Sequence, residues 1–393
     1  MLSFFPNVIG ALIGIFLALF LMTQLAKVEP PAAEESKPRD TLSFEEILPP
    51  KTIAYMEDGI APEQLIEIAE KIVPPPQEDI PVGVAATPAV QSEPPKEPKT
   101  VTPEPPKAPL LSATALNTLV RASTVNIFCT LAGETDAASG SGIVIDPRGI
   151  VLTNAHIAQY FLLDTRDGEE FVRCAIRTGS PAEKSFSGEL LYIPSAWIEA
   201  HAENITQNGW ADNGEHDYAL VRAVLSAEEA TSSLPALSLA YDGAGLARTE
   251  PVLVASYPAG FLGGQAIQKN LWQVSSFTSI KELYRFATTS QDLIDVVSVN
   301  GIIGAQEGSS GGALVRTEDG KLLGVVVTRS AGDTTGERDL FSLSIPYVNA
   351  DIVTDLKKTL QEFLASDIDA YQEWFNENVR PRLKEKLMME IEK

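Results

Sequence analysis

The chain holds three histidines, His156, His201 and His216, and a histidine is the side chain best suited to move a proton near neutral pH. Catalysis by a hydroxyl needs such a base, a group that orients it, and donors for the charge that develops on the substrate oxygen. His156 lies in VLTNAHIAQY, where an apolar run that reads as a strand ends in Thr-Asn-Ala-His, so its imidazole stands just past a strand end. GEHDYALVRA places Asp217 at the beginning of another apolar strand, a position from which a buried carboxylate can meet a histidine ring. The third group is AQEGSSGGALV at 305–315, where Ser309 and Ser310 stand between glycines. A turn tight enough to aim two backbone N–H groups at one point needs a residue free of Cβ constraints, and Gly308 supplies it.

In chain order, GSGIVIDPRGIVLTNAHI, DYALVRA and GSSGGALV, followed by LLGVVV and FSLSIP, resemble the trypsin-like serine endopeptidases of the chymotrypsin fold. The bacterial HtrA (Deg) branch is the nearest likeness, over about residues 120–350. The resemblance implies a mainly β protein built as a double six-stranded antiparallel barrel, and an enzyme that cleaves polypeptides through an acyl-enzyme. It implies that Ser310, in Gly308-Ser309-Ser310-Gly311-Gly312, is the nucleophile, with Ser309 in the variable position and pointing inward. His156 is then the general base and acid, Asp217 holds its tautomer, and the N–H groups of Gly308 and Ser310 form the oxyanion hole. A catalytically silent barrel serving as a binding or scaffolding module is the alternative.

The same resemblance puts Gly304 at the floor of the primary specificity pocket, with Ala305 and Gln306 beside it and Arg329, in VVVTRSAG, along the cleft. With no acid at that position, cleavage after Lys or Arg is not implied; a small or medium uncharged side chain is expected. It also makes the strands carrying Cys129 and Cys174 the first and fourth of the N-terminal barrel, which adjoin where it closes. A disulfide is expected there, free thiols being the alternative. His201, in a polar insertion, and His216, on the strand face opposite Asp217, are expected to take no part.

Two classes are disfavoured by composition. A net charge of −23 with no Lys/Arg-rich run argues against nucleic-acid binding. Three scattered histidines and two distant cysteines give no metal-ligand spacing, and no cofactor is expected.

These residues must be held by a scaffold, and residues 111–350 supply short apolar or alternating runs bounded by Gly, Pro, Asp and Asn. The runs include STVNIFCTL, EEFVRCAIR, EPVLVASYP and KLLGVVVT, a texture that suits an all-β barrel or sandwich. Helical exceptions are expected at ALNTLVRA and around 196–206 and 280–286, and an elaborate loop is expected from about 178 to 215. Over 351–393 the apolar period becomes helical, broken near Pro381. The first half is expected to pack on the barrel. The distal stripe, including Leu383, Leu387 and Ile391, is read either as packed likewise or as a self-association surface. This segment leaves no room for the PDZ domain of many HtrA relatives.

Residues 4–26 carry no charged side chain over a length that crosses a bilayer, so 1–27 is expected to be an uncleaved transmembrane anchor, with a cleaved signal peptide the alternative. Residues 28–110 hold 18 of the 27 prolines and read as an acidic proline-rich spacer, interrupted by a short helical pattern at 61–73. The expected arrangement is a single-pass membrane protein with its barrels outside the cytoplasm, in a bacterial cell envelope.

Overall fold

The computed structural model describes residues 111–133, 137–206, 213–225, 234–260, 262, 264–286, 293–330 and 334–393. The expected anchor, the proline-rich spacer and the 61–73 helix lie outside the described residues. No helix among those described is long and apolar enough to cross a membrane.

Helix α1 (Ala113–Ser123) opens the domain, capped by the Ser112 hydroxyl, which accepts from the Ala115 N–H at 3.2 Å. It leads into β1 (Thr124–Leu131), β2 (Ala137–Asp146) and β3 (Ile150–Thr153), then α2 (Ala155–Ala158) and a 3₁₀ turn over Gln159–Leu163. A two-residue ribbon, β4 (Thr165–Arg166) with β5 (Glu169–Glu170), precedes β6 (Val172–Thr178) and β7 (Lys184–Tyr192). Helix α3 (Ser195–His201) and β8 (Ala219–Val224) follow. Six of these strands close in the order β1-β2-β3-β8-β7-β6.

The second closed barrel uses β9 (Pro251–Ser256), β10 (Val274–Tyr284), β11 (Val296–Val299), β12 (Ala313–Arg316), β13 (Leu322–Arg329) and β14 (Leu340–Ser344), with α4 (Gly264–Asn270) between β9 and β10. Its order is β10-β11-β14-β13-β12-β9, and every pairing in both barrels is antiparallel. The expected double barrel is therefore present. Closure pairs β1 with β6, and Cys129 stands opposite Cys174 in that register, where the two form a disulfide.

Four helices continue from β14: α5 (Ile345–Leu356), α6 (Leu360–Leu364), α7 (Ile368–Asn378) and α8 (Arg380–Ile391). The helical segment expected from 351 thus begins at Ile345, immediately after β14, capped by the Ser344 hydroxyl. A break at Val379 separates α7 from α8, and Pro381 lies in the first turn of α8, where its missing N–H costs nothing. Leu383, Leu387 and Ile391 are buried. They lie on α8, which packs against α3, the Ala202–Thr206 turn and the Gln159–Leu163 turn of the first barrel. The stripe read as a possible self-association surface is thus covered from within the chain.

Two other expectations change. Residues 280–286 are not helical: the strand β10 runs to Tyr284, paired with β9 on one side and β11 on the other. The backbone partners supplied by the barrel override the local Lys-Glu-Leu pattern. The loop expected from 178 to 215 contains β7, a full barrel strand, and α3, whose Trp197 is completely buried.

Candidate active site

Asp217 sits two residues before β8, almost wholly buried, and both its carboxylate oxygens face His156. Oδ1 accepts the His156 backbone N–H at 2.9 Å, and Oδ2 lies 2.7 Å from Nδ1 of the ring. A third bond runs from the Asn154 side-chain amide to the Asp217 backbone carbonyl at 2.9 Å. The segment after β3 is thereby tied to the segment before β8 both at Asn154 and at the histidine itself. With Nδ1 committed to the carboxylate, Nε2 is the atom left to exchange a proton with a substrate or a nucleophile.

The serine turn comes from the other barrel, just before β12, and its glycines are required by close backbone approach. Gly311 has φ +83°, and a Cβ there would stand 1.9 Å from the Ser141 carbonyl oxygen and 2.7 Å from the Thr153 hydroxyl. Gly308 has φ +80°, with the Tyr257 carbonyl 2.6 Å from where a Cβ would be. Both positions press the turn against neighbouring backbone, and Gly311 presses it against Thr153, the last residue of β3, three positions before His156.

The two serines are distinguished by their partners. Ser309 is buried and turned inward: its hydroxyl donates to the Gly304 carbonyl and accepts from the Ser256 hydroxyl at 3.1 Å. Ser310 presents its hydroxyl 3.1 Å from the Val327 carbonyl on β13. The Ala259 N–H donates to the Glu307 carbonyl at 2.7 Å. In a trans peptide the N–H points opposite to the C=O, so the Gly308 N–H is aimed away from Ala259.

Of the expected pocket residues, Gly304 is committed through its carbonyl to Ser309. Gln306 is half-buried, its amide donating to the Ile303 carbonyl at 2.6 Å. Ala305 departs from expectation: it is fully buried and packs in the second barrel's core with Val252, Val254 and Leu314, so its methyl faces inward and does not line the cleft. Arg329 is also buried, 2% exposed, with its guanidinium 3.8 Å from the Glu307 carboxylate, itself 5% exposed. It forms an internal ion pair in place of an exposed cleft wall.

Residues 140–325 match the family model of the trypsin-like peptidase domain. These residues form a trypsin-like peptidase domain. No curated protein is significantly similar in sequence. Among solved structures, the Rv3671c protease from M. tuberculosis, in its active form, is 20% identical over 67% of this chain and 94% of its own, with a TM-score of 0.39. The HtrA-type protease AlgW with a tripeptide is 17% identical over 63% of this chain and 65% of its own, at a TM-score of 0.39. Deg5 is 17% identical over 61% of this chain and 90% of its own, at 0.38.

Several residues that shape the candidate site escaped the sequence reading. Ser141, between two glycines on β2, donates its hydroxyl to the Gly308 carbonyl at 2.7 Å and accepts the Tyr257 N–H at 2.8 Å. Its own N–H donates to the Ser310 carbonyl at 2.7 Å, so one residue of the first barrel pins both ends of the serine turn. The Gly-Ser-Gly triplet was the available signal. His216 was assigned to a strand face, yet β8 begins three residues later and His216 lies in a turn with φ +63°. Its Nδ1 is 2.8 Å from Asp351 on α5, and the Asp351 carboxylate raises the imidazole's pKa above its ordinary value, burial opposing. His201 is structural: its ring stacks on Trp197 at 4.9 Å and its Nδ1 lies 2.9 Å from the Trp197 carbonyl. Among the described residues no cluster of His, Cys, Asp and Glu is arranged to hold a metal ion.

Proposed function

We propose that this chain is a serine endopeptidase that hydrolyses polypeptides through an acyl-enzyme on Ser310, tethered to a membrane with its barrels outside the cytoplasm. The observation that carries the reading is the doubly bonded His156–Asp217 pair, 2.7 Å and 2.9 Å, together with a serine turn whose tight glycines press it against β3, the strand leading to that histidine. His156 Nε2 takes the Ser310 proton as Oγ attacks the carbonyl carbon, and returns it to the leaving amine; Asp217 stabilises the imidazolium formed between. The Gly308 and Ser310 N–H groups receive the oxyanion. Water then attacks the acyl-enzyme by the same route. The Cys129–Cys174 disulfide supports an oxidising compartment, and the uncharged run at 4–26 supports the tether.

A fluorophosphonate probe phosphonylates an activated serine and tests activity and assignment together. Wild type and Ser309→Ala are expected to be labelled and Ser310→Ala is not. Labelling that persists in Ser310→Ala rejects the nucleophile. A folded wild type that is neither labelled nor able to cut an unfolded protein substrate would instead mark the domain as a silent binding module.

A further inference from the structure

The triad is divided between barrels: His156 and Asp217 belong to the first, Ser310 to the second. Something must fix one against the other to a fraction of an ångström, because catalytic geometry tolerates little displacement. Helix α5 is built to do so. It leaves the second barrel directly from β14, with Ile345, Tyr347, Val348 and Ile352 buried. Two of its side chains, one turn apart, then reach the turn that carries Asp217. The Tyr347 hydroxyl accepts the His216 backbone N–H at 3.0 Å, and Asp351 Oδ2 bonds both His216 Nδ1, at 2.8 Å, and the Tyr218 hydroxyl, at 3.0 Å.

The residues on either side of Asp217 are therefore both held by α5. His216 adopts the left-handed region, costly for a residue with a side chain, and the turn keeps that conformation while its N–H and ring are engaged. The other end of the same turn rests on the second barrel, since Gly214 lies against the Val327 side chain, the residue whose carbonyl meets Ser310. We infer that Tyr347 and Asp351 are positioning residues for catalysis: through His216 and Tyr218 they set Asp217, and with it the His156 ring, relative to Ser310. This rests on the serine-endopeptidase reading.

The charged groups acting on His216 are Asp351 and Asp355 of α5 and Glu215 of its own turn. Tyr347, Tyr218 and Tyr192, also packed here, are held neutral by burial.

The test uses the full chain and a fluorophosphonate, measuring the labelling rate at saturation, the half-saturating probe concentration, and the pH dependence of labelling. Misplacement by about 1 Å costs on the order of 100-fold, so a loosened clamp in Asp351→Asn or Tyr347→Phe is expected to lower the saturated rate about ten-fold, with half-saturation unchanged. A less well placed Asp217 stabilises the imidazolium less, so the acid limb is expected to move to lower pH. Asp351→Glu should restore part of the rate. Labelling at the wild-type rate with an unmoved limb overturns the proposal, as does a loss that matches the unfolded fraction seen by circular dichroism. Tyr347→Phe removes a single oxygen and serves if Asp351→Asn fails to fold. A wild type unlabelled at Ser310 refutes the endopeptidase reading itself, an outcome distinct from active wild type with indifferent variants.

Discussion

Replacing Asp217 by Asn removes a charge and changes little in shape, and its effect follows from the bonds the carboxylate makes. Two acceptor oxygens face two donors, the His156 N–H at 2.9 Å and the ring at 2.7 Å, and an amide has only one oxygen to offer. If the amide oxygen turned to the ring, its NH₂ would oppose the buried backbone N–H, leaving donor against donor at about 1–3 kcal/mol. Keeping the oxygen on the backbone N–H avoids this, and the NH₂ then donates to Nδ1. That stabilises the tautomer with its proton on Nε2, the one form that cannot accept a proton from Ser310. Loss of the correct tautomer in a triad of this kind costs on the order of 10,000-fold, or about 5.5 kcal/mol of transition-state stabilisation. The assay compares fluorophosphonate labelling rates of wild type and Asp217→Asn near neutral pH, with circular dichroism to confirm the fold. A folded variant labelled within about ten-fold of wild type would refute the reasoning, since a ten-fold loss is only about 1.4 kcal/mol.

Gly311→Ala combines a left-handed backbone, about 1–2 kcal/mol for a residue with a Cβ, with a contact 1.9 Å from the Ser141 carbonyl oxygen. It is expected to abolish labelling and lower the urea midpoint, whereas wild-type behaviour on both counts would contradict the packing described. Exchanging both Cys129 and Cys174 for Ser opens a crosslink spanning a sequence separation of 45, worth up to about 4 kcal/mol on the chain-entropy account. Urea denaturation should show a loss of that order or less, and unchanged stability would contradict it. His216 has a raised pKa in the folded chain, so its contribution is full below its unfolded value, about 6.5, and is lost as pH rises through the folded value. The melting-temperature gap between wild type and His216→Gln should therefore narrow as pH is raised from about 6; a gap that widens reverses the sign and the argument.

What the sequence discloses depends on how far away the deciding partner lies. The serine turn and the histidine and aspartate segments are each local, and their glycines and strand ends announce themselves. The disulfide was legible only through the resemblance, because spacing does not reveal that β1 and β6 adjoin. Residues 280–286 misled because a Lys-Glu-Leu pattern has helical character until the neighbouring strand β11 supplies backbone partners. His216 was misread by extending strand alternation back before the start of β8, and the partner that gives it a task is 135 positions away. Ala305 lies one residue from the expected pocket floor, yet whether its methyl faces cleft or core is decided by barrel register, which short motifs do not encode. The distal helical stripe signalled a buried face without saying against what.

The covering of the first barrel by α8 bears on when this molecule becomes competent as it is made. Arg380 donates to the Phe161 carbonyl and Lys384 to Asp164, links that bridge 219 and 220 positions of chain. A ribosome delivers residues in order, so the first barrel emerges long before the helix that packs on α3 and on the Gln159–Leu163 turn beside His156. Long-range closure of this kind is slow and comes late. The outer layer of the first barrel is thus completed only after the whole of the second barrel has been delivered, so the packing next to the His156 segment waits on residues that follow it by more than two hundred positions.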